Sequence, residues 1–167
     1  MGRKSQKAGK RGEAHALAAF SRLGIEMPEE VATPVILVKS ARDPRAFIVR
    51  YRSRVNGDIR GIIPGLGRRV VAEAKWHPKE RFQYSIMTKH GEHQIAWLDR
   101  NRELGGISLL VWVRNEYEVA PLVWKPEPLV PRASLAWAWA WDHSVMEMRV
   151  KGRKVWAFLR NGAHIEV

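Results

Sequence analysis

Gly57-Asp58-Ile59-Arg60-Gly61, followed by the turn Pro64-Gly65-Leu66-Gly67 and then Val70-Val71-Ala72-Glu73-Ala74-Lys75, is the stretch that decides the fold. Ile59, Ile62, Ile63, Val70 and Val71 are strand formers, and the Pro/Gly cluster between them is a turn signal. The pattern predicts a β-hairpin. Strand side chains alternate, so Val71, Glu73 and Lys75 share one face and Asp58 and Arg60 share one. A turn centred on Gly65-Leu66 sets Asp58 directly across from Glu73. Opposed Cβ atoms lie about 4.5–5.5 Å apart, and like charges so placed are destabilising. A cation between the two carboxylates removes the conflict. A hard divalent ion such as Mg2+ is held by one or two carboxylates with waters and a substrate phosphate, and Mn2+ suits the same oxygens. Lys75, on the same face, can orient a water or meet developing phosphate charge. The alternative is a solvated strand face, and a one-residue slip of the turn would put Asp58 and Glu73 on opposite faces.

The chain has 167 residues, the size of one domain, and 46% hydrophobic residues, enough for a core. Its net charge of +12 calls for an anionic partner, most often nucleic acid. Arginine outnumbers lysine, which suits phosphate recognition. A membrane surface is the competing partner, but no apolar run approaches the roughly 20 residues of a spanning helix and there is no signal-peptide pattern. With no cysteine, disulfides and thiolate zinc sites are excluded, and the composition fits a reducing cytoplasm.

In chain order, residues 1–11 carry five cations and no acid and read as a flexible basic arm, with Lys10 and Arg11 available to phosphates. A helix is expected from Gly9 or Lys10 to Leu23. Glu13, Leu17 and Phe20 share its apolar face. Glu13 is either a favourable charge for the helix dipole or a further carboxylate of a metal site. Met27-Pro28-Glu29-Glu30 reads as a break. Val35–Val38 and Phe47–Arg54 read as the strands of an extended hairpin. Arg50, Arg52 and Arg54 line one face of it, as a solvated edge or a phosphate-tracking surface. A second helix is expected from Lys89–Glu92 to Leu104. Ile95, Trp97, Leu98 and Leu104 would face the core, with Gln94 in its first turn pointing inward. His90 and His93 lack a third ligand and are a weak zinc signal. Ile107–Val113 has the continuous apolar pattern of a doubly buried strand, and Val119–Trp124 is another strand. In the Trp-rich segment 132–167, Trp137, Trp139 and Trp141 read as core or subunit interface, or as a base-stacking surface. Arg149–Phe158 reads as a closing hairpin turning at Lys151-Gly152.

An acid on an early helix, then Asp58, then Glu73-Ala74-Lys75, then His90-Gly91-Glu92-His93-Gln94, then Gly105-Gly106-Ile107 entering an apolar strand, form an ordered set. That order resembles the PD-(D/E)xK nuclease superfamily, and specifically the RecU-type Holliday junction resolvases, over roughly residues 9–114. The resemblance implies a restriction-endonuclease-like α/β fold: a mixed central β-sheet flanked by helices, with a protruding β-hairpin stalk at about 27–56 and a single nuclease domain over 12–167. It implies Asp58 and Glu73 as metal carboxylates and Ala74 as a backbone-carbonyl ligand. Lys75 would be the catalytic lysine, Glu13 the auxiliary acid and Gln94 the glutamine supporting the metal shell or the water. Gly57 replaces the proline that names the motif, and the Trp-rich tail matches nothing in the family. The implied activity is that of a crossover junction endodeoxyribonuclease: a cytoplasmic, bacterial or virus-encoded homodimer that uses Mg2+ or Mn2+ to nick four-way junction DNA symmetrically. A restriction- or repair-like nuclease of the same superfamily and a non-catalytic basic nucleic-acid-binding protein are the alternatives.

Overall fold

The structure, a computed structural model, describes residues 3–30, 35–39, 47–51, 58–83, 85–124 and 134–167. In chain order its elements are helix α1 (Arg3–Arg22), strands β1 (Glu26–Glu30), β2 (Val35–Lys39), β3 (Phe47–Tyr51), β4 (Ile59–Ile63), β5 (Arg68–Trp76) and β6 (Arg81–Gln83), helix α2 (Ser85–Glu103), strands β7 (Ile107–Val113), β8 (Val119–Val123) and β9 (Ser134–Ala136), helix α3 (Trp137–Asp142), and strands β10 (Val145–Lys151), β11 (Lys154–Leu159) and β12 (His164–Glu166). Five strands make the central sheet in the order β1-β4-β5-β7-β8. β5 and β7 run parallel, and the other neighbours run antiparallel. This is the expected mixed sheet flanked by helices. The parallel pair is joined by α2, as a parallel connection requires a crossover.

Residues alternate between two cores. On one face, Val70 and Ala72 of β5 pack with Ala16 and Phe20 of α1, and the inner face of the β10-β11-β12 sheet joins them through Val155 and Ala157. On the other, Val71 packs with Leu98 of α2, Leu110 and Trp112 of β7, and Phe82, Leu135 and Trp137 from β6, β9 and α3. Every residue of β7 is buried, as its apolar run predicts.

Several expectations differ from what is found. Helix α1 starts at Arg3, so most of the basic segment 1–11 is helical and not a free arm. Its Lys, Arg, Gln and Ala are strong helix formers and outweigh Gly9 and Gly12. Gly12 has a packing reason: a side chain there would come within 3.1 Å of Trp76 Cβ. The break expected at Met27–Glu30 is edge strand β1, with a register irregularity between Glu26 and Glu29 that accommodates Pro28. α2 begins at Ser85, earlier than expected, which puts Gln94 in its third turn. Leu104 is 69% exposed, because α2 ends at Glu103 and the positive φ of Gly105 (80°) turns the chain away. β2 and β3 pair antiparallel as a separate two-stranded sheet, with Arg50 opposite Ile36. Arg52 and Arg54 lie outside the described residues, as do segments 31–34, 40–46 and 52–57 of the expected stalk and its junction.

The tryptophan segment is core. Trp137 is 6% exposed and meets Trp112 edge-on at 5.0 Å between ring centroids. In the short helix α3, Trp137 and Trp141 stand 5.5 Å apart, and the Arg160 guanidinium lies 3.7 Å over the Trp141 ring. The closing hairpin is present as β10 and β11, which pair from Val145 to Lys151.

Candidate active site

The β4–β5 hairpin pairs in the register set by a turn centred on Gly65-Leu66, with Ile59 opposite Ala72 and Arg60 opposite Val71. The ladder ends at the Ile59–Ala72 pair, and Asp58 lies just beyond it, on Ala72, so the direct Asp58–Glu73 pairing expected from the turn is not part of the ladder. Asp58 is fixed there by its own backbone N–H, which donates to the Ala72 carbonyl (2.9 Å), and by its Oδ2, which accepts from the Ala74 N–H (2.8 Å). These contacts place the Asp58 carboxylate against the backbone of Glu73-Ala74-Lys75.

Glu73 points into the α2 side of the sheet and is 1% exposed. Its Oε1 accepts from Lys75 Nζ at 2.5 Å. Its Oε2 is buried and receives no hydrogen-bond donor among the described residues. Burial, and secondarily the Asp58 charge, push the Glu73 carboxyl up to about 8, while Lys75 pulls the other way without prevailing. Asp58 is close enough to share a proton with Glu73. Two opposed carboxylates in a desolvated site hold either a shared proton or a cation.

Lys75 also donates to Gln94 Oε1 at 3.0 Å. Gln94 therefore reaches across from α2 to β5, as its inward orientation predicts. What holds α2 in that register was not anticipated. Asn101, seven residues on and on the same face as Gln94 and Leu98, is 5% exposed. Its Nδ2 donates to the Ile107 carbonyl and to Ser108 Oγ, each at 3.0 Å, and Ser108 Oγ donates back to the Leu98 carbonyl at 2.7 Å. Gly106 makes the clamp possible, since a Cβ there would fall 2.5 Å from the Asn101 amide. The spacing 94–98–101 and the glycine before β7 were the available signals.

Glu13 is half-buried on α1, next to Gly12, which packs on Trp76, the residue after Lys75. It thus sits at the same end of β5 as the carboxylate pair, on the helix covering the opposite face. Lys10 and Arg11 are exposed on the same stretch of α1. His93 is half-buried and its Nδ1 has no hydrogen-bond partner. The side chain of His90 lies outside the described ones. No group of three or more His, Cys, Asp or Glu comes together in metal-binding geometry among the described residues.

The donors present nonetheless fit a small hard cation. Mg2+ takes one or two carboxylates and completes its shell with waters and substrate oxygens. Asp58 and Glu73 supply the carboxylates, and the Ala74 backbone adjoins them; a cation there would take the place of the proton that burial and Asp58 keep on Glu73. No protein-family model matches the chain, and no curated protein matches it in sequence.

Proposed function

We propose that this chain is a divalent-metal-dependent endodeoxyribonuclease of the restriction-endonuclease-like kind that resolves four-way DNA junctions as a homodimer. The observation that carries the reading is the buried Glu73 carboxyl, with one oxygen on Lys75 and a second carboxylate, Asp58, close enough to share a proton with it. Two carboxylates held that close in a desolvated site are the donor set of a hard divalent cation.

Asp58, Glu73 and the Ala74 carbonyl would hold Mg2+ or Mn2+, with Glu13 as auxiliary acid. The ion supplies Lewis-acid polarisation of the scissile phosphate and acidifies the attacking water. The chain's own residues do the rest. Lys75 spends one N–H on Glu73 and one on Gln94. An ammonium has three donors, so one remains for a non-bridging phosphate oxygen whose charge grows in the transition state. Gln94 fixes the direction of that donor, which would otherwise swing on a flexible stem. Lys10 and Arg11, exposed on α1, and Arg50, Arg52 and Arg54 of the hairpin segment would hold flanking phosphates in a salt-dependent way. The β2–β3 hairpin would be the stalk that enters the junction. Recognition would follow backbone path rather than base edges. Cutting two strands symmetrically takes two sites related by a two-fold axis. No helix among the described residues is long and apolar enough to cross a membrane, and a DNA substrate puts the protein in the cytoplasm of a bacterium or of a virus-infected host.

The test is cleavage of a synthetic four-way junction against linear duplex of the same sequence, with Mg2+, by wild type and Asp58→Asn. Paired symmetric nicks in the junction by wild type, with binding but no cutting by Asp58→Asn, are expected. Cutting of duplex and junction at equal rates would replace the resolvase with a duplex nuclease of the same superfamily. Binding without cutting by wild type, in Mg2+ and in Mn2+, would leave a basic nucleic-acid-binding module.

A further inference from the structure

The outer face of the C-terminal sheet carries a second group of residues that the cleavage chemistry does not use. β10, β11 and β12 form an antiparallel sheet whose inner face joins the α1-side core. Alternation sends Arg149, Trp156, Phe158 and His164 to the other face. There Phe158 and His164 stack with centroids 5.7 Å apart, Trp156 lies 5.4 Å from His164, and Arg149 lies 4.8 Å over the Phe158 ring. Trp156 and Phe158 are half-buried, His164 is exposed, and neither Trp156 nor Phe158 belongs to a core cluster.

Charge on this face is arranged at a cost. Lys151 and Lys154 are direct cross-strand partners flanking the Gly152-Arg153 turn. Like charges so opposed are destabilising, and Arg153 adds a third cation. Two acids temper the face: Glu147 holds Arg149 through two bonds of 2.7 Å, and Glu166 pairs with Lys154 at 2.8 Å. Lys151 and Arg153 have no ion pair among the described residues.

We infer that the outer face of the β10-β11-β12 sheet binds single-stranded DNA, with bases stacking on Trp156, Phe158 and the Arg149 guanidinium and phosphates held by Lys151 and Arg153. Flat rings on an open sheet, flanked by cations, give a sequence-tolerant surface for unpaired bases. A duplex buries its base faces and gains nothing from the rings. The surface lies away from the carboxylate site. Gly12 of α1 packs at Trp76, whereas Leu23, at the other end of that helix, accepts from the Met148 N–H of β10. Those two points are about 16 Å apart along a helix. The stacking surface stands without the nuclease reading, while the choice of DNA over RNA rests on it.

Fluorescence anisotropy in EDTA, with the full chain and a labelled oligothymidylate of about twelve nucleotides, separates binding from cleavage. Trp156→Leu and Phe158→Leu keep apolar bulk but lose the flat ring. Each is expected to weaken oligothymidylate binding about five- to hundredfold and to leave duplex binding within about twofold of wild type. The double variant Lys151→Ser/Arg153→Ser changes only exposed side chains. It is expected to flatten the dependence of log Kd on log salt by about 0.7 for each cation removed. Unchanged oligothymidylate affinity in the leucine variants, equal loss on single strand and duplex, or an unchanged salt slope in the double variant would each overturn the proposal. Tighter binding of oligouridylate than of oligothymidylate would overturn the DNA assignment.

Discussion

Two buried polar side chains on the α2 side of the sheet, Asn101 and Glu73, are treated in opposite ways. Asn101 is 5% exposed, and its amide donates to two partners that lock α2 onto the start of β7. Glu73 is 1% exposed and ionisable, yet the group beside it is another carboxylate, Asp58, close enough to share its proton. Burying a satisfied amide is close to neutral in free energy, whereas ionising a buried carboxyl beside another carboxylate costs several kcal/mol. The first arrangement is architecture. The second persists in a folded chain because the rest of the core over-determines it, and it is where a ligand has most to gain.

The two positions therefore fail differently when replaced. Glu73→Gln is expected to reduce Mg2+-dependent junction cleavage by about a thousandfold or more, on the scale of other lost transition-state contacts, while its melting temperature in EDTA stays at or above that of wild type. Cleavage rates and melts on the same preparations decide it. A Glu73→Gln protein that melts well below wild type yet still cuts would make Glu73 architectural too.

The pH dependence carries the next largest effect. The Glu73 carboxyl titrates near 8 in the folded chain against an ordinary 4.5. Below pH 4.5 the acid is protonated folded and unfolded, and its neutral form costs nothing extra. Between 4.5 and 8 the unfolded chain releases the proton and the folded chain keeps it, so stability falls as pH rises. Above 8 the loss is complete, on the order of a few kcal/mol. In EDTA, wild type should lose more melting temperature between pH 5 and pH 8.5 than Glu73→Gln does. Mg2+ at about a hundred times its Kd should restore about 2.7 kcal/mol to wild type at the upper pH and little to the variant. Parallel pH profiles for the two proteins would remove the buried-carboxylate account.

The contrast also explains what was legible beforehand. The register of β4 on β5 followed from one turn, because strand register is fixed once the turn is, and Pro64–Gly67 leaves little choice; the position of Asp58, just past the last ladder pair, did not. β7 followed from its unbroken apolar run. Gln94 pointed inward as expected, although its helix begins at Ser85, since facing depends on period and not on where the helix starts. The early start of α1 was hidden because Gly9 and Gly12 look like breakers until Trp76 is seen beside Gly12. β1 was hidden because Pro28 and three glutamates carry no strand signal, and its place is set by pairing with β4. The tryptophans of α3 could not be assigned to core from alternation alone, since Trp112 and Arg160, which bracket them, come from distant strands and loops. The Asn101 clamp is tertiary in the same way, as its partners lie across the α2–β7 turn.

On the architectural side, Asn101→Ala removes a donor from the Ile107 carbonyl and another from Ser108. It is expected to lower stability by about 2–4 kcal/mol, with cleavage at a permissive temperature within about tenfold of wild type, the residual loss coming from a looser Gln94. Urea unfolding and single-turnover cleavage measure the two parts. Loss of cutting without loss of stability would move Asn101 to the functional side of the comparison.

The smallest effect is the sharpest test of the clamp. Gly106→Ala puts a methyl where the Asn101 amide sits, 2.5 Å from both its oxygen and its nitrogen. Overpacking of this kind costs about 1–3 kcal/mol. Once Asn101 has been cut to alanine, however, the space is open, and the added methyl should cost almost nothing. The two substitutions should therefore be non-additive by about 1 kcal/mol or more, as contacting residues are. Strict additivity in urea unfolding would mean that Gly106 is required by its own backbone and not by Asn101. The glycine before β7 would then tell nothing about how α2, and with it Gln94, is held against Lys75.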